Sequence, residues 1–133
     1  MKALSIQEPW AALIAAGVKS IETRSWRTAY RGPLYIHASR AKVDQKDPHI
    51  QRLLSLLPEG SLHPGFMVCR CVLKDCLPMD ESFLGWIEAH PLEKLCGEYA
   101  PGRFAWVLEQ VEPLEAPVAA KGHLSLWEWE PSP

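Results

Sequence analysis

The chain has 133 residues, 47% hydrophobic and 23% charged, with a formal net charge of -2. That length suits one domain with a sizeable core and is short for two, and the composition excludes a disordered chain. No run approaches the roughly 18 apolar residues of a membrane span, and MKALSIQEPW lacks a leader's long apolar stretch, so a cytoplasmic protein with no membrane partner is expected.

From the N-terminus, Ala3, Leu4 and Ile6 mark residues 2–6 as a short strand. After Gln7, Glu8-Pro9-Trp10 runs into an apolar stretch, residues 11–16, that reads as a helix with Pro9 at its first position and Gly17 as a left-handed stop. A helix ending there puts Lys19 at an edge, outside the core. From Ser20 the chain alternates as a half-buried strand does, with Ile21 and Thr23 facing one way and Ser20, Glu22 and Arg24 the other. Glu22 and Arg24 therefore share a face, and Lys19, of opposite parity, joins them only through a bend at Gly17.

An arginine-rich loop, Trp26-Arg27-Thr28-Ala29-Tyr30-Arg31-Gly32-Pro33, leads to a strand over residues 34–38 that ends in Ser39-Arg40. Asp47-Pro48 offers an N-cap acid and a first-turn proline to a packing helix with apolar face Ile50, Leu53, Leu54 and Leu57, stopping at Pro58-Glu59-Gly60. Residues 65–77 alternate as a strand, with Met67, Cys69, Cys71 and Leu73 on one face. Asp80 caps a helix through Phe83, Leu84, Trp86 and Ile87 that breaks near Pro91, and a short turn ends at Cys96-Gly97. Residues 104–108 and 124–129 are the last strands, and the tail Pro131-Ser132-Pro133 is expected to fray. About six short strands, inserted helices, twelve prolines and no regular strand-helix alternation argue for an α+β fold, a small mixed barrel decorated by helices.

Charge is distributed unevenly. Residues 19–46 carry seven bases against Glu22 and Asp44, whereas from Asp75 onward eleven acids face only Lys94, Arg103 and Lys121. A basic segment around a candidate site suits a phosphate-bearing partner, and the acidic remainder argues against a sheath-like coat on DNA. Cys69, Cys71, Cys76 and Cys96 read as buried, reduced thiols, since their spacing matches no zinc knuckle and a free cysteine packs as a small hydrophobe. His49, His63, His90 and His123 lack metal-ligand spacing, and there is no Walker loop, dinucleotide fingerprint, zincin motif or nucleophile elbow, so neither metal nor cofactor is expected.

The block IQEPWAALIAAGVKSIETRSWRTAYRGPLYIHASR resembles the opening of an ASCH domain (activating signal cointegrator homology), whose hallmark G-x-K-x-x-E-x-R is met by Gly17, Lys19, Glu22 and Arg24. GEYAPGRFAWVLEQVEPL and Lys121-Gly122 followed by LSLWEW are similar to the family too, so the resemblance spans nearly the whole chain. It implies a PUA-like β-barrel with the motif lining a cleft between the first helix and the barrel. Members are proposed to bind RNA or other nucleic acid, and some are reported to hydrolyse it.

Residue chemistry gives that cleft a role. Lys19 and Arg24 offer donors to a phosphate or base edge, Glu22 accepts from an exocyclic amine, and Trp10 or Trp26 offers a stacking face, with Gln7, Ser39, Arg40 and Lys121 in support. RNA or a nucleotide is the expected partner, and duplex DNA an alternative. A second class is a metal-independent hydrolase, either a ribonuclease drawing on Lys19, Tyr30, His37 and Ser39, or a nucleoside amidohydrolase with Lys19 and Glu22 moving the proton. Relatives active on acetylated cytidine carry threonine where this chain has Glu22, which counts against deacetylation. A third class is a protein-interaction module docking through the acidic C-terminal half, from Glu109 to Glu130.

Overall fold

A computed structural model of the chain describes residues 1–131; Ser132 and Pro133 of the tail lie outside them. The alternating stretches form β1 (Lys2–Ile6), β2 (Ile21–Arg24), β3 (Gly32–Ala38), β4 (Phe66–Pro78), β5 (Phe104–Ala119) and β6 (Leu126–Glu128). Between them lie α1 (Trp10–Ala15), α2 (Pro48–Leu54), α3 (Glu81–Glu88) and α4 (Pro91–Leu95). The strands make one mixed sheet, in the order β2-β5-β4-β3-β1-β6, curled into a half-barrel consistent with a PUA-like α+β fold. β1 and β3 run parallel, and the other neighbours are antiparallel.

Strand alternation places Leu4, Ile6, Leu34, Ile36, Cys69, Cys71, Leu73 and Trp106 in one core, closed by Ala11 and Ile14 of α1. On the other side of the same helix, Leu13 packs with Ile50 and Leu53 of α2 and with Cys96. So α1 is held on two faces, and the position of its C-terminus is fixed by both cores. All four cysteines are free and buried, as the spacing indicates.

Several boundaries differ from the sequence expectation: β3 takes in Gly32 and Pro33 of the expected loop, and α2 ends at Leu54, short of Pro58. Pro9 occupies the N-cap position and α1 begins at Trp10, because the Glu8 carboxylate takes over the capping: its Oε1 accepts from Ala12 N at 2.8 Å, and its Oε2 from His63 N at 2.9 Å. β5 continues to Ala119, where sequence alternation ends near residue 108. Its outer half pairs only with β4, so Pro113 and Pro117 leave no donor needed on the other edge, and register shifts beside Gln110, at φ 52°, scramble the inside-outside pattern. β6 starts at Leu126, since Ser125, at φ 58°, turns the chain just before it.

Candidate functional site

Where α1 stops, Gly17 takes a φ of 77°, and the amides of Val18 and Lys19 both donate to Leu13 O, at 3.0 and 3.1 Å. This hook returns Lys19 beneath the helix end. Its ammonium donates to Cys96 O at 2.7 Å and stands 3.8 Å from Glu22 Oε1. The expected edge position is therefore corrected: Lys19 is 1% exposed, because the hook and the carbonyl after α4 draw it inward. Burial lowers its pKa from the usual lysine value, and the Glu22 carboxylate is the chief opposing influence.

Glu22 and Arg24 share a face of β2, as their parity requires. Arg24 donates through one terminal nitrogen to Glu22 Oε2 and to Ser5 O, each at 3.0 Å, while Glu22 Oε1 accepts from Thr23 N at 3.2 Å. The start of β2 is pinned by Glu93 of α4, which accepts from Ser20 N at 2.9 Å and from Ile21 N at 3.3 Å. Among the described residues, Arg24 Nε and the Tyr99 hydroxyl are buried without a hydrogen-bond partner.

This cluster forms part of the wall of a cavity of about 1270 Å³, and all nine residues singled out from the sequence, Gln7, Trp10, Lys19, Glu22, Arg24, Trp26, Ser39, Arg40 and Lys121, line it. Both tryptophans are half-buried. Trp26 packs edge-on against Trp106 at 4.7 Å, so it serves the core and the cavity at once. Gln7 Nε2 donates to Lys42 O at 3.1 Å and steadies the turn carrying Arg40. Arg40 is exposed and lies flat over Gly65, whose φ of 90° and missing side chain make room: a Cβ there would stand 2.7 Å from Arg40 Nε. Tyr30 is not part of the cavity; its hydroxyl donates to Pro33 O at 2.5 Å.

Of the polar group opposite β2, sequence reasoning named His37 and missed its partner Ser5. Ser5 Oγ lies 3.0 Å from His37 Nδ1 and accepts from Trp127 Nε1 at 3.2 Å, and His37 Nε2 lies 2.8 Å from Ala120 O. A carbonyl only accepts, so Nε2 carries the proton and Nδ1 accepts from the Ser5 hydroxyl. Burial lowers the His37 pKa, against the opposing hydrogen bond to Ala120, and keeps the ring neutral at neutral pH. This neutral network ties β1, β3 and β6 to the loop over residues 120–125. The sequence clue to Ser5 is its place as a polar residue between Leu4 and Ile6. Arg103 and His123 also line the cavity; Arg103 is committed to Glu98 O at 3.1 Å. Among the described residues, no three His, Cys, Asp or Glu side chains cluster as metal ligands, and no helix is long and apolar enough to cross a membrane.

The model of the ASCH domain family matches residues 4–118. Activating signal cointegrator 1 of Homo sapiens is 37% identical over 81 residues, and its Mus musculus counterpart is 36% identical over the same length. Each match covers 56% of this chain and 14% of the relative, so the chain corresponds to a small part of those proteins.

Proposed function

Because the chain belongs to the ASCH domain family, which is generally linked to RNA binding, we propose that it binds RNA, or a single nucleotide of it, in the cavity beside Lys19, Glu22 and Arg24. One observation carries the reading: residues as far apart as Gln7 and Lys121, chosen for nucleic-acid chemistry, converge on one cavity. Its roles divide by exposure. Arg40 and Lys121 are exposed cations suited to phosphate, while Trp10 and Trp26 offer partly buried rings to a base. Lys19, Glu22 and Arg24 are paired among themselves and set the shape and field of the wall.

Binding of labelled single-stranded RNA at about 50 and 200 mM salt tests the reading. Each of Arg40→Ala and Lys121→Ala is expected to weaken binding and to reduce the slope of log affinity on log salt by about 0.7. Arg70 of β4, exposed and away from the cavity, is the control, and Arg70→Ala leaves both quantities unchanged. Equal losses in all three variants sink the cavity reading in favour of diffuse attraction.

A hydrolytic reading has one observation in its favour. Burial moves the Lys19 pKa in the direction a general base needs, with Glu22 nearby to share a proton. Following RNA and acetylated cytidine for product in the same reactions separates the two readings: turnover lost in Lys19→Met identifies an enzyme, and tight binding without product identifies a reader.

A further inference from the structure

Leu124 is 93% exposed, while Leu92 and Trp86, the next most exposed large apolar side chains, stand at 48% and 46%. A scattered surface leucine is ordinary, so its position decides what it means. Leu124 belongs to residues 119–125, every one of which lines the cavity. Its neighbours Lys121 and His123 are basic or titratable, and Arg40 and Arg103 line the same cavity.

The segment is clamped at several points. Ala120 O meets His37 Nε2 at 2.8 Å, and Ala120 N donates to Gly65 O at 3.1 Å. Gly122 packs so closely that a Cβ there would stand 2.7 Å from both His37 Cε1 and Ser5 Oγ. The His123 ring packs against Trp127 at 5.1 Å, and the φ of 58° at Ser125 makes the turn into β6. An apolar side chain is thus held out at the cavity mouth by a braced backbone, and little ordering is left for a partner to impose.

We propose that Leu124 is an apolar wedge, entering the base stack of a structured RNA beside a nucleotide whose base occupies the cavity. The inference rests on the RNA-binding reading. A base within a duplex reaches a recessed site only by leaving its stack, and the gap is then open to water. Leucine is among the side chains that fill such a gap, while adjacent cations hold the flanking phosphates. Unstacking costs least at a mismatch or a helix end, so hairpins with a mismatched or terminal target are the preferred ligands.

The test uses an RNA hairpin carrying 2-aminopurine beside a mismatch, with an unstructured strand of the same length for comparison. Fluorescence of that base rises when it unstacks. Wild-type protein is expected to raise it, and Leu124→Ser to lose most of the rise while the hairpin-to-single-strand affinity ratio falls roughly tenfold or more. Leu124→Met restores both, because an unbranched apolar chain still fills the gap. A rise and a ratio in Leu124→Ser equal to wild type overturn the wedge and leave the cavity reading standing. Failure of wild-type protein to bind either RNA overturns both. The exposure of Leu124 removes loss of folding as an explanation for either result.

Discussion

Glu22 stands between two cations that hold it with unequal strength. Arg24 reaches it at 3.0 Å and retains partial exposure, whereas Lys19 is fully enclosed and lies 3.8 Å away. Removing one member of a buried pair leaves the other uncompensated, which costs about 3–5 kcal/mol. The two ends of this pair respond differently. Glu22→Gln leaves the Lys19 ammonium with Cys96 O as its main partner and removes the carboxylate that chiefly opposes the fall of its pKa, so the full penalty is expected. Lys19→Met leaves Glu22 with Arg24 and Thr23 N, and strands only one carbonyl, at about 1–3 kcal/mol. Urea unfolding of both variants checks the order. A larger loss in Lys19→Met would show that the ammonium, not the carboxylate, holds the cluster together.

At the scale of elements, the end of α1 decides whether that cluster exists. Gly17, at φ 77°, has no atom within 4 Å of where a Cβ would stand, so a side chain there meets backbone strain and nothing else. Gly17→Ala is expected to cost about 1–2 kcal/mol, and Gly17→Asn less, because asparagine tolerates the left-handed region. Thermal unfolding that ranks alanine and asparagine alike would place the cause elsewhere. The stop at Gly17, the Asp47 and Asp80 caps and the alternation of β4 were legible in the sequence because each is a short-range signal. The shared face of Glu22 and Arg24 was legible for the same reason, since it follows from local strand parity. Burial of Lys19 was not, because its acceptor is Cys96 O, 77 residues away. Nor was the length of β5, where prolines and glutamates occupy an edge that has no further strand to satisfy.

At the scale of the molecule, sheet order is the least legible feature. β2 pairs with β5 and β1 with β6 across most of the chain, and no local pattern marks either choice. What the pattern does fix is which faces turn inward, and the thiols report on that. Cys69 and Cys71 lie in the main core, where burial pushes the Cys71 thiol up to about 12 and the Cys69 thiol higher still. Only a thiolate attacks an alkylating reagent, so near pH 8 both sulfurs are doubly protected, by exclusion and by protonation. They are expected to react only when the whole sheet opens, at the global unfolding rate. Cys96 sits instead in the smaller core, with Leu13 of α1 and Ile50 and Leu53 of α2. A short helix opens more readily than a central strand, so Cys96 should be labelled earlier. Timed alkylation read by peptide mass distinguishes the orders. Cys69 or Cys71 reacting before Cys96 would mean that β4 opens independently, and the half-barrel would then not be one cooperative unit.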